Sequence, residues 1–368
     1  MALRVVLVDA GRDWRGGQRQ VFLLAQALRA MGAEPLVIGA DRSRLVVRVR
    51  DAGLAASTVT MRGDWDLAAA RRVRTIVRAW RADLVHAHDA RGHAIALTAL
   101  ALPRLPRAGR LPKVPLVVTR RVARLLRYAR LKYSNRVARF IAISGAVRDA
   151  MVTSGVPSER IDVVYSGVPT PVVTNPRDWR AECGWPPDCV LCGVVGAMTA
   201  EKGVAELVAI AQRVRADVRA RTRLVLLGGT APAGHGMIGG IQAFRAGFVD
   251  DVHPAVAGLD VLWHPARSEG LGTAVIDAMA LRVPPVAFAA GGLPELIESG
   301  RSGILISPGD LDTFASAVTR LVTDPDYRHM LADAGPARAA MFSVERMVDG
   351  TMRVYDSVLR RGHAISLD

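Results

Sequence analysis

Short apolar runs alternate with stretches of helical periodicity along most of this chain, and no other feature restricts its fold so tightly. LRVVLVDA (Leu3–Ala10) is a near-continuous apolar run, the pattern of a strand buried on both faces of a parallel sheet. PLVIGA (Pro35–Ala40), ADLVHAHDA (Ala82–Ala90), VPLVVTRR (Val114–Arg121), FIAIS (Phe140–Ser144) and IDVVYSGV (Ile161–Val168) repeat it. Between them Val21, Leu24, Ala25 and Leu28 recur at helical spacing, and helices are predicted over Asp66–Trp80, Gly92–Ala101 and Ala146–Ser154. Parallel strands need crossovers of a dozen or more residues, so the alternation predicts an α/β, doubly wound sheet. Pro169–Pro187 holds five prolines and little periodicity, which reads as a linker. The alternation then resumes at CVLCGVV, RLVLLGG, DVLWHPA, PPVAFA and GILI. A length of 368 residues suits two domains, expected at 1–168 and 188–342, joined by 169–187 and followed by an amphipathic segment from 343 to 368.

Open α/β sheets bind ligands where strands end and helices begin, and the polar chemistry gathers there. Gly16-Gly17 follows the first strand, Gly196 the first strand of the second half, and Gly228-Gly229 the next. The densest stretch is Ser268–Glu295, SEGLGTAVIDAMALRVPPVAFAAGGLPE. Its loop Ser268-Glu269-Gly270-Leu271-Gly272 leads into a helix opening at Thr273, and a second loop, Gly291-Gly292, leads into another with Pro294 in its first turn. Helix N-termini offer unpaired N–H groups and partial positive charge, and glycine lets an oxyanion approach the backbone, so a phosphate or diphosphate is the natural ligand. Glu269 and Asp277 are eight residues apart, a spacing that on one helix puts both carboxylates along one face, where sugar hydroxyls are their natural partners.

This segment resembles the nucleotide-sugar site of the family 4 glycosyltransferases, retaining enzymes of the GT-B fold. The family signature is Glu, seven residues, a second Glu, a small-residue helix, a strand and a Gly-Gly-x-Pro-Glu turn. Glu269, Ala278-Met279-Ala280, Gly291-Gly292 and Pro294-Glu295 match it, while Asp277 stands where the second Glu is usual. Lys202 matches the family's diphosphate-binding lysine, and Ala197 stands at the usual arginine position. The resemblance implies two Rossmann-like domains facing across a cleft and transfer of a sugar from a nucleotide-diphosphate sugar to an acceptor, with no metal and no other cofactor. It assigns catalysis to Glu269, Lys202 and His88, and donor contacts to Gly16, Gly17, Gly196, Gly228, Ser268, Gly270, Leu271, Gly272, Thr273, Asp277, Gly291 and Gly292. His93 and Arg120 fall on the acceptor side. Rival readings on the same fold are a nucleotide-sugar epimerase, a phosphorylase, or a nucleotide-sugar binder without activity.

Charge is unevenly placed: Met1–Tyr165 carries +18 and the remainder −3, within a net +15. Thr119–Phe140 holds eight basic residues and no acid, interleaved with apolar side chains, the pattern of a helix on an anionic membrane surface or, more plainly, of a solvated arginine face. No nucleic-acid motif accompanies it, which argues against nucleic acid. With no run of 18 apolar residues and no leader pattern, a cytoplasmic protein is expected, peripheral on the inner face of the membrane, taking a glycan or lipid-linked acceptor such as a lipopolysaccharide precursor. Cys183, Cys189 and Cys192 are too few for a disulfide framework. His86, His88, Asp89 and His93 cluster at a strand end but read as hydrogen-bonding groups, and the pairs at Asp250, Asp310 and Asp324 read as helix caps, so no metal site is predicted.

Overall fold

The computed structural model describes residues 2–102, 114–124 and 135–364. The chain divides into two compact units, Met1–Gly167 with Val344–Asp368, and Val168–Ser343. In the first, β1 (Arg4–Asp9), β2 (Glu34–Ala40), β3 (Ala55–Val59), β4 (Leu84–Ala87), β5 (Leu116–Arg120), β6 (Val137–Ala142) and β7 (Ile161–Val163) form one sheet in the order β3-β2-β1-β4-β5-β6-β7. Every pairing is parallel. The chain winds outward from β1 to β3 and then restarts at β4 on the other side of β1, so the loops leaving β1 and β4 diverge and open a crevice. Val5, Val6, Leu7 and Val8 are fully buried, as a central strand covered on both faces requires.

The second unit repeats the plan with β8 (Val190–Val195), β9 (Thr222–Leu227), β10 (Gly234–Ile238), β11 (Ile241–Gly247), β12 (Val261–His264), β13 (Pro285–Phe288) and β14 (Ile304–Ile306), in the order β10-β11-β9-β8-β12-β13-β14. Its switch point lies between β8 and β12. Trp263, Phe288 and Phe314 meet edge to face in its core, with centroids 6.3 and 5.3 Å apart along the chain Trp263–Phe314–Phe288. The terminal helix, Val344–Ala364, belongs to the first unit: Met347, Val348, Val354, Tyr355 and Val358 join that core, and at Gly350 a Cβ would stand 2.8 Å from Val164.

Several sequence expectations change here. The 169–187 segment is not a free tether, because a short helix at Trp179–Cys183 folds onto the second unit, Trp179 is fully buried, and its Nε1–H donates to the Ala255 carbonyl at 2.8 Å. The strand expected over Ile161–Val168 keeps only Ile161–Val163. Helix Arg44–Asp51 and strand β3 escape the sequence pattern, the first because Val46, Val47 and Val49 are β-branched, the second because AASTV is a half-exposed edge. The glycine-rich stretch after β9 is a hairpin: Gly239 and Gly240 carry φ of +53° and +86° in a two-residue turn. Residues 125–134 of the basic run lie outside the described residues. Asp251, Asp310 and Asp324 cap helices, accepting from the backbone N–H of His253, Thr313 and Tyr327.

Candidate active site

At the second unit's switch point, the loop after β8 carries Lys202 and the loop after β12 carries Glu269. Lys202 ends a single 3-10 turn and is followed by Gly203, whose φ of +77° serves as N-cap of helix Val204–Arg213. A Cβ on Gly203 would fall 1.9 Å from the Pro265 carbonyl oxygen, so only glycine lets the two loops touch. Arg267 N–H donates to the Glu201 carbonyl at 3.1 Å, and the Arg267 guanidinium, mostly exposed, pairs with the buried carboxylate of Glu206 in the first turn of that helix. These contacts deliver Lys202 Nζ to within 2.5 Å of Glu269 Oε2. The third loop, after β13, closes in at Gly291, φ +56°, where a Cβ would lie 1.7 Å from the Glu269 carbonyl oxygen.

Glu269 is further held by His264, the last residue of β12, whose Nε2 stands 3.1 Å from the same Oε2. Burial pushes the Glu269 carboxyl up, but the His264 hydrogen bond and the Lys202 charge outweigh it and hold the pKa at about 2. An ionised carboxylate and an ammonium group therefore wait side by side, one suited to hydroxyl groups and the other to a diphosphate. Asp277 sits one loop further in, within helix Thr273–Ala280; it is 3% exposed, and His253 Nε2 reaches its Oδ1 at 3.1 Å. A small cavity beside Lys202 is lined by Gly196, Ala197, Met198, His264 and Pro265.

The first unit's switch point gathers a second polar set. Asp9, at the end of β1, accepts through Oδ1 from Gly11 N–H and from Gln18 Nε2, at 2.8 and 2.9 Å. Asp89, after β4, caps helix Ala90–Ala101 and accepts from Ala10, Arg91 and Gly92 N–H. Burial, then the Asp9 charge, raise the Asp89 pKa to about 6 despite those three donors. His86 uses both nitrogens, 2.7 Å from Tyr355 Oη and 2.7 Å from Thr119 Oγ1, and burial lowers its pKa to about 3. Arg121, just past β5, reaches His88 Nδ1 at 3.3 Å and Ser166 Oγ at 3.4 Å, and stands against Gly17, where a Cβ would touch its Cδ at 3.5 Å.

Residues 190–324, which include Lys202 and Glu269, match the model of the glycosyl transferases group 1, and residues 14–171 match that of glycosyltransferase family 4. The chain belongs to the family 4 glycosyltransferases, with the GT-B fold. A 2-deoxystreptamine N-acetyl-D-glucosaminyltransferase of Streptomyces fradiae is 28% identical over 385 residues, covering 91% of this chain and 90% of the relative. A D-inositol 3-phosphate glycosyltransferase of Stackebrandtia nassauensis is 30% identical over 226 residues, 55% of this chain and half the length of that relative. Among solved structures, Anabaena HepE in complex with UDP-glucose superimposes with a TM-score of 0.82 at 18% identity, covering 96% of this chain and all of that one.

Within this glycosyltransferase the residues singled out from the sequence fall into two groups, one per unit. Gly196, Lys202, Gly228, Ser268, Glu269, Gly270, Gly272, Thr273, Gly291 and Gly292 share the carboxyl end of the second sheet; a Cβ on Gly228 would meet Gly196 O at 2.3 Å, and the buried Leu271 side chain anchors the loop from beneath. Glu269 and Asp277 do not share a helix face, because Glu269 lies in the loop four residues before the helix begins at Thr273. Gly16, Gly17, His88, His93 and Arg120 belong to the first unit. His93 packs inside the first unit, its ring 6.4 Å from Phe140. Strand alternation puts Thr119 and Arg121 on the side of His86 and His88, and turns Arg120 to the other face. His264, His253, Arg121 and Asp9 were not anticipated, although a count of strand parity from Thr119 separates Arg121 from Arg120.

Proposed function

We propose that this glycosyltransferase moves a sugar, with retention of anomeric configuration and without a metal cofactor, from a nucleotide-diphosphate sugar to a hydroxyl-bearing acceptor. The observation that carries the reading is the Lys202–Glu269–His264 constellation, with Lys202 Nζ 2.5 Å and His264 Nε2 3.1 Å from one carboxylate oxygen among three glycine-bearing loops. The donor's diphosphate draws Lys202 away from Glu269, and the N–H groups of the glycine loops share in neutralising the charge that grows on it as the glycosidic bond breaks. Preorganised charges of this kind are the largest contribution in many enzymes. Glu269, released from Lys202, accepts from hydroxyls of the transferred sugar. The His253–Asp277 pair takes the nucleoside ribose, His253 being the more open of the two. UDP-glucose bound to HepE is consistent with a uridine donor, and the relative that acts on inositol 3-phosphate and the lipopolysaccharide glycosyltransferase WaaG, to which this fold is similar at a TM-score of 0.69, point to a polyol or an envelope glycan as acceptor. We infer a cytoplasmic enzyme, peripheral on the inner face of the membrane, a reading supported by the basic excess of Met1–Tyr165.

Glu269→Gln and Lys202→Ala are expected to lower turnover about 100-fold or more at saturating donor, with circular dichroism unchanged, since both residues stand in loops over an intact core. Near-normal turnover in either variant removes the assignment, and an inverted anomeric signal in the product's NMR spectrum removes retention.

A further inference from the structure

The first unit has a small, partly open pocket of about 20 Å³ beside its switch point, with Gln20, His86, His88, Thr119, Arg121 and Ser166 in its polar lining. The Gln20 amide is consumed by the Gly167 backbone, with bonds of 2.6 and 2.9 Å, and His86 is consumed by Tyr355 and Thr119. Thr351, also in the wall, donates to the Met347 carbonyl. His88, 2% exposed, has one nitrogen occupied by Arg121, while its Nε2 and the Arg121 Nε are buried with no hydrogen-bond partner among the described residues.

The state of His88 follows from its neighbour. A guanidinium only donates, so Nδ1, 3.3 Å from Arg121 Nη2, must accept, and in the neutral ring the proton then sits on Nε2. Burial, with the Arg121 charge beside it, keeps the ring neutral by holding its pKa well below the ordinary value. His88 is therefore a fixed donor. It is not a base, which narrows the catalytic role expected from the sequence. The Arg121 charge does not make the cavity an anion site either, because Asp9 and Asp89 lie close enough to counter it. A buried donor left unmet is costly, so the missing partner is an acceptor oxygen without charge.

We propose that this cavity seats a single hydroxyl oxygen of an uncharged polyol, which accepts from His88 Nε2–H beside Arg121. The volume suits one oxygen and its hydrogens. The proposal rests on the reading that the first unit takes the acceptor, and it names that acceptor's chemistry as a sugar or cyclitol hydroxyl in place of a phosphate or carboxylate.

The test uses the full chain with ¹⁵N-labelled histidine and no donor, so that it stands apart from the turnover assays on Glu269 and Lys202. Long-range ¹H–¹⁵N spectra are expected to show His88 neutral with its proton on Nε2 from pH 5.5 to 8, across which His86, Arg121 and Tyr355 hold their protonation while Asp89 titrates near pH 6. Titration with myo-inositol and glucose should move that resonance, whereas inorganic phosphate should not. His88→Phe should bind the polyol about tenfold more weakly and His88→Gln, which keeps an N–H donor, within about threefold of the unaltered protein. A proton on Nδ1, a response to phosphate alone, silence with every neutral polyol, or equal affinity in His88→Phe (a water-filled cavity) each overturns the proposal. If His88→Phe does not fold, the tautomer and the titrations of the unaltered protein decide the matter by themselves.

Discussion

Glu269 illustrates how one residue ties chemistry to stability. Its folded pKa of about 2 lies below the ordinary value of 4.5, so the native state holds its proton more weakly than the unfolded chain does. The sign follows: the contribution is fully present above about pH 4.5 and is lost as pH falls toward 2, and its size is on the order of 3 kcal/mol. Glu269→Gln should therefore be less stable than the unaltered protein by a constant margin above pH 5, and the two denaturation curves should converge between pH 4.5 and 2. Curves that stay parallel through that window would show that Lys202 and His264 do not hold the carboxylate. Asp277 makes a different case at the same scale. Because Asp277 is buried against the half-buried His253, Asp277→Ala removes a contact from a partly desolvated imidazole, and a loss of about 1–3 kcal/mol in urea denaturation is expected together with weaker nucleoside diphosphate binding. Isothermal titration showing unchanged nucleotide affinity would return the pair to a purely structural role.

At the level of elements, the site depends on how closely three strand-end loops approach, and glycine decides that distance at two points. Gly203 lies against the Pro265 carbonyl, and Gly291 against the Glu269 carbonyl. Replacing Gly291 with Ala adds the left-handed backbone cost of about 1–2 kcal/mol to a clash with a main-chain oxygen that no rotamer change relieves. Gly300, at φ +80° with open space around a Cβ, supplies the control, since Gly300→Ala carries the backbone cost alone. Calorimetry should find Gly291→Ala melting several degrees below Gly300→Ala, and the same variant should lose donor turnover. Equal melting temperatures would mean that the loops can separate without consequence. The pairing of Arg267 with Glu206 acts on the same geometry from outside, fastening the Glu269 loop to the helix that follows Lys202.

For the molecule as a whole, the dominant physical fact is the charge difference between its halves, +18 to Tyr165 and −3 beyond. Each basic side chain near an anionic bilayer contributes about 1 kcal/mol, so three or four engaged arginines outweigh the weak repulsion of the acidic half. Binding to anionic vesicles is therefore expected, falling steeply above physiological salt as the screening length drops below about 8 Å. Co-sedimentation with neutral and anionic vesicles measures it. Equal binding to both, or no change when Arg124, Arg127 and Arg130 become Ser, would assign the basic run to solvent. Among the described residues no helix is long and apolar enough to cross a membrane.

Periodicity by itself determined the doubly wound α/β architecture, because strands buried on both faces must be continuously apolar and parallel pairing demands a helix between them. The glycine-bearing loops around Lys202 and Glu269 were equally legible as strand-end turns, since glycine, a carboxylate and a lysine gather there in the sequence. What the sequence did not carry are the contacts made across long separations. His264 and Lys202 meet on Glu269 because β8 and β12, seventy residues apart, are neighbours in the sheet. Arg121 rather than Arg120 reaches His88 because β5 lies beside β4 in one particular register. The hairpin β10–β11 and helix Arg44–Asp51 run against local propensity and exist because packing on the rest of the sheet outweighs it. A side chain's partner is set by which strands are adjacent, and adjacency is settled only when the whole sheet has closed around its core.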